Sequence, residues 1–345
     1  MKLLKIGITH GDINGIGYEL LIKVLQDPEL LELCTPVIFG SAAIAEATAR
    51  QLGMQPIPLH VISRADEATE GHINLVQVCK EAEPELQFGQ QTEAALQAEA
   101  QSLTAALEAY SHRQIDVLVT LPGHLNNDDQ THALSDFIHR AFNSQQESFD
   151  WICNGKIRTL LLHHRDVSTL LGEGLASEAL MEHVTAISNS LRMDYGLMRP
   201  RLAIISPFDK VRGDIVELHE AGINAFGPFD PKTFVEGGWQ HHYDGCILLN
   251  ADQTRDQLLA DTDPDHTYGY VSGLPLVLTY PMLDISYDKA GKGEANEVPL
   301  RQAIYAAIDI ERNRHAYSMA TRRPLEKQWV PRGRDDFKLD LTKEE

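Results

Sequence analysis

Apolar positions along the chain alternate between short continuous runs and longer stretches at helical spacing, which predicts parallel sheets covered by helices. Leu4 to Thr9 reads as a first strand, followed by the loop Gly11-Asp12-Ile13-Asn14-Gly15-Ile16-Gly17 and a helix from about Tyr18 to Leu25. Pro36 to Gly40 reads as a second strand and Ala42 to Leu52 as a helix, with Leu59 to Ile62 and Ile73 to Val78 extended. The clearest helix runs from Thr92 to His112. Leu96, Leu103, Leu107 and Tyr110 recur there at helical spacing, and Ala94, Ala95, Ala98 and Ala100 raise its propensity. It leads into a buried-strand pattern, Ile115 to Thr120. The turn Leu121-Pro122-Gly123 and polar Asn126 to Asp129 then read as a crossover between domains.

The second half repeats the alternation without repeating the sequence. Thr159 to Leu162, Leu202 to Ile205 and Cys246 to Leu249 read as strands, and Glu178 to Leu191 and Val298 to Arg312 as helices. Beyond about Arg322 the composition turns charged, the pattern of a solvated tail.

Length and composition narrow the class. A chain of 345 residues is long enough for two α/β domains, and 43% hydrophobic residues give them cores to bury. A formal net charge of −20 repels nucleic acid and anionic lipid surfaces, which sets both aside as partners. Cys34, Cys79, Cys153 and Cys246 lie far apart beside apolar stretches, as small buried hydrophobes in a reducing compartment do. The opening Met1 to Gly7 runs straight into a strand, and no apolar run has the length of a membrane helix, so the expected location is the cytoplasm.

The glycine loop is the first candidate site. Glycines between a strand and a helix let backbone N–H groups approach a ligand, but the spacing is not GxGxxG, and tight packing needs glycine equally. The pairs His163-His164 and His241-His242 are adjacent, so on a strand their side chains face opposite ways. His163, Asp252 and His242 are conceivable as a rebuilt metal triad. Asp261-Thr262-Asp263-Pro264-Asp265 lacks the glycine and terminal glutamate of a calcium loop and reads as a solvated turn.

The run Ile8-Thr9-His10-Gly11-Asp12-Ile13-Asn14-Gly15-Ile16-Gly17-Tyr18-Glu19-Leu20 resembles the opening signature of the 4-hydroxythreonine-4-phosphate dehydrogenase family of pyridoxal phosphate synthesis. The resemblance continues in order through Gly89, Ile115 to Thr120, Leu121-Pro122-Gly123-His124, Ser135-Asp136-Phe137, Arg165-Asp166-Val167, Ser272-Gly273-Leu274-Pro275 and Ala290-Gly291-Lys292-Gly293-Glu294-Ala295. It implies two α/β/α domains, like those of isocitrate and isopropylmalate dehydrogenases, with the active site in the cleft between them. The division expected is 1–125 plus 290–320, then 126–289 with the dimer interface, then a tail 321–345. It also implies a homodimer that binds a small molecule in the cleft and oxidises 4-phosphohydroxythreonine with NAD or NADP before the keto acid loses CO₂. Three histidines hold a divalent metal such as Zn²⁺ or Mg²⁺ in that family. On these positions Asp12, Asn14, Gly15, Gly291, Gly293 and Asn296 border the cofactor, Ser135, Asp136 and Asp252 serve the substrate, and His163 is a metal ligand.

The chain departs from the family pattern in one direction. The second and third metal histidines fall at Phe208 and Ala251, which cannot ligate. Family lysines fall at Leu125 and Leu259, an arginine at Leu278, an asparagine near Gly269, and the Asp-His-Gly-Thr motif at Met282-Leu283-Asp284-Ile285. Cationic and ligating groups thus become apolar, so the competing reading is a diverged paralogue that binds or regulates rather than catalyses.

Overall fold

The computed structural model describes residues 3–78, 86–124, 131–143, 147–162, 176–207, 211–249, 252–260 and 262–322. His163, the Arg165-Asp166-Val167 step, Leu125, Phe208, Ala251, Cys79 and the tail beyond Arg322 lie outside them, and at Ser135 and Asp252 the backbone alone is described.

The first half runs β1 (Leu4–Thr9), α1 (Gly17–Leu25), a single turn α2 (Leu30–Leu33), β2 (Cys34–Gly40), α3 (Ala42–Leu52), β3 (Leu59–Ile62), β4 (Ile73–Gln77), α4 (Glu93–Ser111) and β5 (Val117–Val119). The second runs α5 (Thr131–Phe142), β6 (Phe149–Asn154), β7 (Ile157–Leu162), α6 (Ala176–Asp194), β8 (Leu202–Ile205), α7 (Arg212–Glu220), β9 (Ala225–Phe229), α8 (Pro231–Glu236), β10 (Gly245–Leu249), α9 (Asp252–Leu259), β11 (Thr267–Ser272), β12 (Leu278–Pro281) and α10 (Val298–Thr321).

Among the described residues these strands form one sheet in the order β3-β4-β2-β1-β5-β12-β11-β6-β7-β10-β8-β9. Strands β3 through β12 at one end are mutually parallel, as are β7, β10, β8 and β9 at the other. Antiparallel β11 and β6 join the two groups. The central parallel strands β2, β8 and β10 are buried along their whole length, which is why their sequences are nearly continuous apolar runs rather than alternating ones. The mixed α/β class expected from the alternation of elements is therefore the class observed.

Helix ends follow local chemistry. Thr92 caps α4 by accepting from the Ala95 N–H, and Ser41 caps α3 by accepting from Ile44. Gly53 closes α3 in the left-handed conformation at φ 65°. Helix α10 runs nine residues beyond the Arg312 at which apolar spacing gives out. Its Arg314 is the reason: the guanidinium donates to Asp194 at the end of α6 (Nε to Oδ1, 2.7 Å) and to the Tyr270 hydroxyl of β11 (3.0 Å). The Tyr270 hydroxyl donates to the other Asp194 oxygen. This cluster, with Asp194 wholly buried, fixes the last turns of α10 across both groups of strands.

Cys34, Cys153 and Cys246 are buried free thiols, and burial pushes Cys34 and Cys246 up to about 12, so they behave as the small hydrophobes expected. No helix among the described residues is long and apolar enough to cross a membrane.

Candidate active site at the strand C-termini

In parallel sheets ligands bind beyond the C-terminal strand ends, where successive connections diverge to opposite sides. Here β1 sits between β2, to which the chain next crosses, and β5, to which it returns after β4. The loops leaving β1, β5 and β12 gather on that edge: 10–17, 120–124 and 282–296.

The glycine loop is built by packing. A Cβ on Gly17 would stand 2.1 Å from the His10 carbonyl oxygen, and one on Gly15 2.6 Å from Ile285 Cγ2. Gly11, at φ 64°, would meet the Pro122 carbonyl oxygen at 2.1 Å. The first turn of α1 is buried, and the Ile16 N–H donates to the Ile285 carbonyl at 3.3 Å. His10 is buried against Tyr18, and desolvation lowers it to about 4, so it is neutral and its Nδ1–H donates to the Gly11 carbonyl.

Asn14 joins this loop to the segment before α4. Its amide donates to Gln90 O (3.0 Å) and Thr92 Oγ1 (3.1 Å), and its side-chain oxygen accepts from the Gln87 N–H at 2.8 Å. Asp12 is wholly buried. One oxygen accepts from the Asn14 N–H (2.7 Å); the other accepts from the Tyr287 hydroxyl (2.6 Å) and lies 2.9 Å from His124 Nε2. Tyr287 Oη is 3.0 Å from the same nitrogen, and the His124 N–H donates to Glu99 Oε2 of α4. Burial first, then the bond to Asp12, pushes the Tyr287 phenol up, which keeps its proton in place at neutral pH.

The late glycine stretch hangs on α1. Glu19, buried in the first turn, accepts from Ala295 N (2.7 Å) and Gly293 N (3.3 Å), while Lys23 one turn on donates to the Gly293 and Ala295 carbonyls. Gly291 and Gly293 have φ 72° and 76°. Gly293 has open space where a Cβ would stand, so its backbone is approachable. Asn296 donates to Asp265 Oδ1 and accepts from the Val298 N–H.

The other expected site residues fall in the second group of strands. Asp136 is exposed on α5, and its carbonyl accepts from Arg140 Nε. Asp252 opens α9 just after β10. The ends of β7, β10 and β8 are neighbours in register, Leu249 beside Leu162 and Leu248 beside Ile205. The chain continues from them into His163, Asn250-Ala251 and Ser206-Pro207-Phe208, the three positions to which the sequence resemblance assigns metal histidines. Among the described residues no three His, Cys, Asp or Glu side chains converge to hold a metal. Of the substituted positions, Leu278 is wholly buried in β12 and Gly269 leaves room for the Tyr280 ring. Leu259 is half-buried at the end of α9.

Sequence reasoning quoted His124 only as part of a turn and passed over Tyr287 and Glu99. Their partnership depends on three loops brought together by the sheet, which no local spacing records.

The same fold occurs in the 4-hydroxythreonine-4-phosphate dehydrogenase of Klebsiella pneumoniae, at a TM-score of 0.70 and 19% identity, with 90% of this chain and 100% of that one covered. The chain is 32% identical to the 4-hydroxythreonine-4-phosphate dehydrogenase of Bacteroides thetaiotaomicron, over 98% of its length and 97% of the relative's. A Symbiobacterium thermophilum protein provisionally named D-threonate 4-phosphate dehydrogenase is 24% identical over 87% of this chain and 94% of that one. Residues 32–206 match the family of the pyridoxal phosphate biosynthetic protein PdxA. The mixed α/β fold is thus that of dehydrogenases acting on phosphorylated hydroxy acids. Within that class, the chain belongs to the PdxA family.

Proposed function

We propose that this protein oxidises 4-phosphohydroxythreonine, or a close phosphorylated hydroxy acid, with NAD or NADP and releases CO₂ from the keto acid formed. The observation that carries this reading is the 32% identity to the Bacteroides dehydrogenase along almost the whole of both chains. The ketone lies β to the carboxylate, so it is the electron sink for decarboxylation once oxidation has occurred. The nicotinamide supplies the hydride acceptor; the chain's part is to bind, orient and move protons. The approachable backbone at Gly293 suits the cofactor's edge, with Gly291 packed against Phe88 beside it. Asp12, Asn14 and Asn296 act behind it as supports, since their polar atoms are engaged within the protein. Ser135, Asp136 and Asp252 are the substrate-side residues.

The family's three-histidine metal centre does not fit these residues. Phe208 and Ala251 offer no donor, and His163 alone cannot hold Zn²⁺ or Mg²⁺. No step here is routed through a metal. The remainder of the reading is a homodimer in the cytoplasm, with domains 1–125 plus 290–320 and 126–289 enclosing a small-molecule cleft.

The test compares 4-phosphohydroxythreonine with D-threonate 4-phosphate as substrates for the purified protein. Turnover with a higher kcat/KM for the first supports the reading. Preference for the second moves the protein to the neighbouring activity, and turnover of neither with NAD or NADP overturns it.

A further inference from the structure

His124 is held as general bases are held. Its Nε2 faces Asp12 Oδ2 at 2.9 Å, and a carboxylate only accepts, so Nε2 carries the ring proton. Nδ1 is then the lone-pair nitrogen. Among the described residues it has no partner, and the side chain keeps 17% exposure. Asp12 cannot turn away, because its other oxygen is fixed by the Asn14 N–H, and the Tyr287 hydroxyl holds the first at 2.6 Å. The charged and titratable groups around His124 are Asp12 from the loop after β1 and Tyr287 from the segment after β12 at the ring, and Glu99 from α4 on its backbone N–H. Tyr287, whose phenol is pushed up by burial, stays a hydrogen-bond donor there.

We propose that His124 is the proton acceptor of the dehydrogenation, with Asp12 and Tyr287 as its positioning residues. The inference rests on the proposed reaction. The substrate C–H bond breaks and its electron pair leaves as hydride to the oxidised nicotinamide dinucleotide. The hydroxyl O–H bond breaks and its proton passes to His124 Nδ1. The C=O bond forms, and Asp12 stabilises the imidazolium until solvent removes the proton.

The experiment measures kcat, KM and the pH dependence of kcat for wild type, His124→Ala, His124→Gln and Tyr287→Phe. Loss of a positioned base lowers kcat by about 10²- to 10⁴-fold, with KM little changed. Free imidazole restores turnover to His124→Ala, and the acid limb of the pH profile moves in Tyr287→Phe. Wild-type kcat and an unmoved acid limb in His124→Ala overturn the proposal while leaving the family reaction intact. So does a loss that Gln repairs and imidazole does not, which marks a strut. If wild type forms no reduced cofactor at all, the reading of function fails and the proposal falls with it. Should the alanine variant not fold, ¹⁵N spectra of wild type decide: a neutral ring protonated on Nδ1 rather than Nε2 overturns the proposal.

Discussion

Two glycines in left-handed backbone carry different loads. At Gly11 a Cβ would strike the Pro122 carbonyl, so strain adds to a clash that only backbone movement relieves; at Gly293 the same φ opens onto empty space. Gly11→Ala should therefore cost about 3 kcal/mol or more and Gly293→Ala only about 1 kcal/mol, read from urea unfolding midpoints at equal slope. Equal losses would mean that the glycine loop is not held by packing. The loop's local form was legible in the sequence, since Gly11 to Gly17 lies between a strand and a helix as the run implies. Its duty was not. Asp12 and Asn14 look like ligand contacts in one dimension, and only the approach of Gln87, Thr92, His124 and Tyr287 shows that the protein itself uses their polar atoms.

Elements with strong periodicity were legible nearly to the residue. The expected helix Thr92 to His112 is α4 with its two caps, and Leu202 to Ile205 is β8. Strands β11 and β6 escaped notice because Gly269 and Asp150 interrupt their apolar pattern. The tertiary reasons are that the Tyr280 ring fills the place of a Gly269 side chain and that the Tyr280 hydroxyl donates to Asp150. Helix α5 follows the expected crossover, and the sequence reading named in it only the Ser135-Asp136-Phe137 motif. Leu278, where the resemblance expects an arginine, lies in the core, since β12 runs beside β5. Leu278→Ala should cost about 2–5 kcal/mol, and Leu278→Arg, which buries an unpaired charge, should cost more. An arginine variant that melts at the wild-type temperature would show instead that position 278 opens on a pocket.

Across the whole molecule, α10 and its partly buried Arg314 bind the two groups of strands together, and Glu311 on the same helix pays a titration penalty for that position. Desolvation, opposed by Arg314 and reinforced by Asp116 and Asp194, raises the Glu311 carboxyl to about 7. The folded state thus holds this proton more tightly than the unfolded chain, whose glutamates titrate near ~4.3. The contribution to stability is present below that value and is lost as pH rises through about 7. Glu311→Gln should flatten the fall in stability between those limits, as measured by denaturant unfolding at several pH values. An unchanged slope would place the titration elsewhere. The assignment of two family metal histidines to the positions of Phe208 and Ala251 is a reading of the sequence resemblance alone. The adjacency of the strand ends leading to those positions came only with the sheet order. Whether the edge still performs the family's oxidation is decided most directly by counting NADH and CO₂ formed from 4-phosphohydroxythreonine and NAD by the purified wild-type protein. One of each for every substrate consumed is the expected result. No NADH, while the Bacteroides relative turns over in the same buffer, would contradict the proposed function.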